Sequence, residues 1–129
     1  MTYGEAVSFI NGFLRGDNSN PGVLPLHFES AFMEIESNSE PSRMTADYTG
    51  SETDVFRLLP PEYGETPNRY LKKIEVADPL DESAEMPIDE PLFMAVVFYV
   101  CSYLSNKKRD YYEKKAEKIV SVYRSNVIP

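Results

Sequence analysis

The alternation of apolar and polar positions divides the chain into two helix-patterned stretches, a polar gap, two short strand-like runs and two further helices. Thr2 and Glu5 have capping-box spacing, a hydroxyl at the N-cap and a carboxylate three residues on. After them Ala6, Phe9, Ile10, Phe13 and Leu14 fall on one helical face. Gly16 is placed to end that helix, and "GDNSNPG" is turn chemistry. A second helix starts near Pro25, a residue tolerated in a first turn. Its apolar stripe is Phe28, Ala31, Phe32 and Ile35, with Glu29, Glu34 and Glu36 off the stripe. The run from Ser37 to Asp54 is polar and unpatterned, which predicts a long loop, mobile or functional.

Val55–Pro60 has the length and composition of a strand that Pro60 ends. Tyr70–Asp78 reads as a second strand, with Tyr70, Lys72, Ile74 and Val76 on one face and Lys73 and Glu75 on the other. The turn formers between them predict an antiparallel ribbon, which must lie against the helices because two strands alone are marginal in water. The lead "DPLDESAEMPIDEP" reads as a solvated acidic linker, with Asp89 as N-cap and Pro91 in the first turn of a helix over about 90–105.

Within that helix, Leu92–Leu104 carries no charge and is 13 residues long. A membrane span needs about 20 apolar residues, so the run reads as a central helix covered on every face. Its Tyr99 and Tyr103 are one turn apart and set hydroxyls at the edge of the core. The last helix, about Lys108–Ser125, is amphipathic, with Tyr112, Ala116, Ile119 and Tyr123 as its stripe and Tyr111 and Val120 beside it. Asp110 with Lys114, and Lys114 with Glu117, are favourably spaced pairs. The fold class that follows is mainly α: a single small domain over residues 1–129 of about four helices, with a short two-stranded β ribbon inserted before the last two. The loop over about 37–54 is expected to be mobile, and the tail over about 125–129 flexible.

Composition changes this picture little and charge changes it more. The 129 residues, 42% of them apolar and 26% charged, suit one globular core. A lone cysteine, Cys101, leaves no internal disulfide framework. The start "MTYGEAVSFINGF" lacks the basic region of a secretory signal, so a reducing cytoplasm fits. The net charge is −8, but residues 107–129 carry seven Lys/Arg against three acids, a net of +4 that leaves −12 on the rest. An acidic body disfavours general nucleic-acid binding, and a basic end suits an acidic partner, a neighbouring copy included.

Candidate chemistry is sparse. His27, the sole histidine, starts an amphipathic helix with no second His or Cys near it. Cys101 lies mid-way along the apolar helix, where a thiol is inert packing. Neither phosphate-loop motif is present, and "DESAEMPIDE" lacks the glycine and ligand order of a calcium loop. The expectation is a protein that is not an enzyme, with no catalytic residues, no cofactor and no metal.

The C-terminal half, "YLKKIEVADPLDESAEMPIDEPLFMAVVFYVCSYLSNKKRDYYEKKAEKIVSVYRS", resembles the head-to-tail adaptor (connector) proteins of tailed bacteriophages. The likeness rests on a strand, the lead Ile88–Pro91, the apolar helix Leu92–Leu104 ending in Tyr103-Leu104, and the aromatic and charged run Asp110–Lys118. It implies a structural virion protein in the neck, made in the host cytoplasm, forming a ring of about twelve copies between portal and tail. The free chain can be a monomer that assembles on its partner. DNA is retained by such a ring and passes through it without specific binding. The partner-binding residues it implies are Tyr111, Tyr112, Lys114, Lys115, Lys118, Arg124, Val127 and Ile128, toward portal protein, with tail or neck proteins as further partners. The alternative is a small acidic cytoplasmic binding or regulatory protein, inhibitor-like or antitoxin-like, that caps a basic partner.

Overall fold

The computed structural model describes residues 1–17, 22–61, 64 and 66–127, with the side chains of 126 and 127 excepted. Four α-helices, α1 (Tyr3–Phe13), α2 (Pro25–Asn38), α3 (Phe93–Leu104) and α4 (Arg109–Val127), enclose one core. Three short strands, β1 (Thr45–Asp47), β2 (Val55–Leu58) and β3 (Arg69–Lys72), form a small antiparallel sheet between α2 and α3. The mainly helical class is as expected. No helix among the described residues is long and apolar enough to cross a membrane.

The start of α1 is satisfied from two directions. Thr2 Oγ1 accepts from the Glu5 N–H at 3.1 Å, and Glu5 Oε1 accepts from the Thr2 N–H at 3.1 Å. The next free donors, the N–H groups of Tyr3 and Gly4, reach the carbonyls of Ala84 (3.0 Å) and Glu82 (2.9 Å). A Cβ on Gly4 would stand 3.0 Å from that Glu82 oxygen, so only glycine lets the two backbones meet so closely. The acidic lead is therefore not a free linker: its backbone is tied to the N-terminus, and its Met86 and Ile88 are buried. Gly16, with φ +85°, turns the chain out of α1.

The face of α1 that the sequence assigned to the core splits in two. Ala6, Ile10 and Leu14 are buried, whereas Phe9 and Phe13 are 45% and 42% exposed. The i, i+4 row from Ala6 to Leu14, with Tyr3 at its head, already fills the space over α3.

On α2, Phe28, Ala31, Phe32 and Ile35 are buried as expected, but so is Glu36, and Glu29 is partly so. Glu36 follows Phe32 by one turn and lies on the edge of the stripe rather than off it. Glu29 accepts from the Val76 N–H at 2.9 Å and so fastens the chain after β3 to the helix. The C-terminal carbonyls of α2 are met by Arg57 of β2, which donates to the Glu36 carbonyl (3.0 Å) and the Ser39 carbonyl (3.2 Å).

The polar stretch Ser37–Asp54 holds more than a loop. It contains the end of α2, a 3₁₀ turn at Ser42–Met44, and β1, so the expected two-stranded ribbon is a three-stranded sheet of order β1-β3-β2. Thr45 pairs with Leu71 and Asp47 with Arg69, while β2 joins the other edge through a register shift between Val55 and Arg57. The strand expected to run to Asp78 ends at Lys72.

Asp89 also departs from its expected part as N-cap. A 3₁₀ turn at Glu90–Leu92 leads into α3, and Asp89 gives that turn no side-chain cap. Its carboxylate instead accepts from the N–H groups of Ser42 (3.0 Å) and Arg43 (2.7 Å) and from the Tyr123 hydroxyl (2.7 Å). One side chain thereby joins the start of the 3₁₀ turn, the lead into α3 and the last turns of α4.

Helices α3 and α4 form an antiparallel hairpin through the turn Ser105–Lys108. Asp17, just past α1, accepts from the Ser105 hydroxyl (3.0 Å) and the Asn106 N–H (3.1 Å) and clamps that turn. Eight residues of α3 are buried, Cys101 among them, so the uncharged run is the central helix of the domain.

Candidate partner-binding face

Helix α4 presents three longitudinal strips. The inner one, Tyr112, Ala116, Val120 and Tyr123, is buried against α3, and Ile119 only partly so. Tyr112, which the resemblance implied as a partner contact, is thus a packing residue: its hydroxyl donates to the Phe13 carbonyl at 3.0 Å, and burial raises its pKa.

On one side of the buried strip lies an aromatic and basic flank. Tyr111 is 52% exposed, with the Lys108 ammonium 5.7 Å and the Lys115 ammonium 5.2 Å from its ring centre. Lys115 also stands 5.4 Å over Phe98 of α3. Phe98 is stacked on Tyr112 at 6.2 Å and meets Phe13 of α1 at 5.3 Å. Lysines over ring faces are held by the negative face of the π-system. Neither Lys108 nor Lys115 has a carboxylate within 4.0 Å among the described residues.

On the opposite side lies an acidic flank. Glu113 and Glu117 of α4 face Glu34 of α2 across two grooves that share Glu34 and Tyr99. The wider groove, about 430 Å³, also takes in Tyr103, Arg109 and Asp110, and the narrower, about 200 Å³, takes in Arg124. Burial, and then the charges of Glu34, Glu117 and Glu113, push the Tyr99 hydroxyl up to about 12, and burial with Glu34 raises Tyr103 further. The carboxylates thus add to burial in disfavouring the ionised tyrosines. The spaced pairs Asp110–Lys114 and Lys114–Glu117 form no ion pair within 4.0 Å.

The expected partner-binding residues are in this way separated rather than gathered. Tyr111 and Lys115 share the basic flank, and Lys118 follows Lys115 by one turn. Lys114 is exposed between the two flanks. Arg124 belongs to the acidic side, where it also lines an open pocket of about 580 Å³ with Arg57 and Tyr123. Val127 ends α4, and its side chain lies outside the described residues, as does all of Ile128. The residues missed are Phe13, Phe98 and Lys108. For Phe13 the signal was a surplus: α1 carries more apolar residues than one buried stripe needs.

His27 Nδ1 accepts from the Leu24 N–H at 2.9 Å, so the ring serves the start of α2, and burial lowers its pKa. Cys101 is fully buried and its thiol is pushed up to about 12 by desolvation. No cluster of three metal-ligating side chains occurs among the described residues. The chain matches no protein-family model, no curated protein and no solved structure.

Proposed function

We propose that this chain is a head-to-tail connector of a tailed bacteriophage, a structural virion protein that bridges portal and tail. The observation that carries the reading is the α3–α4 hairpin. It is the segment on which the resemblance rests, and it joins a largely buried central helix to an outer helix whose aromatic and basic flank has no ion pair among the described residues. Such a flank suits contact with an acidic protein surface. In this reading the copies form a ring at the neck of the virion, assembled in the host cytoplasm, and DNA passes through it without specific binding. An acidic ring does not neutralise phosphates and so does not trap DNA. We propose no catalytic step, because the one histidine and the one cysteine are both committed to packing and backbone contacts.

Quantitative mass spectrometry of purified virions tests the proposal. About twelve copies per particle, co-purifying with portal protein, is the expected result for one closed ring. The acidic flank around Glu34, Glu113 and Glu117 favours a second reading, a regulatory protein that caps a basic partner. Absence from clean particles, with abundance in infected-cell lysate, overturns the connector and selects that reading.

A further inference from the structure

We infer that successive copies of this chain associate head to tail through the two flanks of α4, the aromatic and basic flank of one copy seated on the acidic flank of the next. The inference deepens the connector reading, on which closure into a ring rests; the contact itself is read from the charges.

The argument starts from what each flank lacks. The ammonium groups of Lys108 and Lys115 lie over aromatic rings, and neither they nor Glu113 and Glu117 form an ion pair within 4.0 Å among the described residues. Four unpaired charges on one helix are not needed for folding, since exposed pairs contribute little in either arrangement. Each flank also carries rings at its base. Tyr111 and Phe13 stand half exposed on the basic side, and Tyr99 and Tyr103 line the acidic groove. Aromatic rings beside a charged flank suit a protein interface, and a flank of the opposite predominant sign, with Arg109 and Arg124 at its ends, is carried by the same chain.

The two flanks lie on opposite sides of the buried strip and next to different helices, α1 on the basic side and α2 on the acidic side. Two-fold pairing through either flank would therefore set lysine against lysine or glutamate against glutamate. The complementary contact is heterologous: it leaves one flank of each kind open at the ends of any dimer, and it continues until the rotation closes.

Charge reversal in two separate chains tests this. All four positions are exposed, so the substitutions leave the fold intact, which circular dichroism checks. At low ionic strength the natural chain is expected to associate with concentration beyond a dimer in sedimentation equilibrium, and to dissociate as salt is raised. The pair Lys108→Glu with Lys115→Glu, and the pair Glu113→Lys with Glu117→Lys, are each expected to weaken association at least tenfold. An equal mixture of the two variants is expected to recover it, because each junction in the mixture again joins opposite charges.

A natural chain that stays monomeric at low salt overturns the inference. So does one that stops at a dimer, or a mixture that fails to recover association. A labelled single-stranded oligonucleotide bound by the natural chain and lost in the Lys108→Glu, Lys115→Glu variant, without self-association, assigns the flank to nucleic acid and also overturns it. The two readings fail separately. A chain found in virions but monomeric by itself refutes the seam alone, and a chain that associates but is absent from virions refutes the connector alone.

Discussion

Asp89, bound to the chain that links α2 to the sheet, and Glu36, in the last turns of α2, are two carboxylates that the molecule treats in opposite ways. Asp89 accepts three hydrogen bonds, two from backbone N–H groups and one from Tyr123. Glu36 is fully buried, and neither of its carboxylate oxygens has a hydrogen-bond partner among the described residues. The contrast shows that donors, not depth, decide whether a carboxylate holds a structure together as an anion. Glu36 is kept as a neutral acid: burial pushes its pKa up to about 8, against the pull of the Arg57 guanidinium.

The largest effect comes from breaking that neutrality. The folded-state pKa of Glu36 lies above its unfolded value, so the folded chain holds the extra proton between about pH 4.5 and 8. Stability then falls as pH rises through that window, by up to about 1.4 kcal/mol per unit. Glu36→Met keeps the length of the side chain and removes the titration. At pH 8 the variant is expected to be more stable than the natural chain by on the order of 3 kcal/mol, with the gap closing toward pH 5. Urea unfolding at several pH values measures it, and a gap independent of pH refutes the assignment.

The opposite change at the other carboxylate costs stability. Asp89→Ala removes the shared acceptor of two exposed backbone N–H groups and the Tyr123 hydroxyl, and is expected to destabilise by about 2 kcal/mol at pH 7. Tyr123→Phe removes the donor to Asp89 and a long second acceptor of the Ser42 N–H (3.4 Å), and leaves the two backbone bonds to Asp89, for a loss of about 1 kcal/mol. The double variant is expected to lose less than the sum, because the two side chains share one hydrogen bond. Strict additivity in denaturant titrations speaks against the three-way junction.

These two residues also mark what the sequence could convey. The four helices, the capping box at Thr2 and the turn at Gly16 were legible because each rests on spacing within a few residues. The hairpin of α3 and α4 was legible because an uncharged run of that length needs cover and the amphipathic run after it supplies a face. The functions of Asp89 and Glu36 were not legible, since the partners are 34, 46 and 47 residues away in one case and absent among the described residues in the other. β1 was missed because "TAD" has no alternation of its own; pairing with Leu71 and Tyr70 makes it a strand. In the candidate face, Tyr111 and Lys115 could be named from composition. Phe13 and Phe98 could not, because their exposure depends on which of several apolar residues in α1 and α3 reaches the core first.

His27 gives the smallest expected effect and carries the comparison to a base. Like Asp89 it accepts a hydrogen bond from a backbone N–H, that of Leu24; like Glu36 it is held neutral by burial. Protonation would remove the acceptor lone pair on Nδ1 and set a charge in a partly buried place. The folded-state pKa is lowered, so the unfolded chain binds the proton first and stability is lost as pH falls from about 6.5 through the folded value. His27→Ala is therefore expected to cost about 1 kcal/mol at pH 7.5, where the neutral ring holds the Leu24 N–H, and less at pH 5. Glu36→Met must be measured alongside, because the two groups tilt stability in opposite directions over the same range. If the His27→Ala loss stays constant between pH 7.5 and pH 5, the ring acts by packing alone and the acceptor contact to Leu24 contributes nothing.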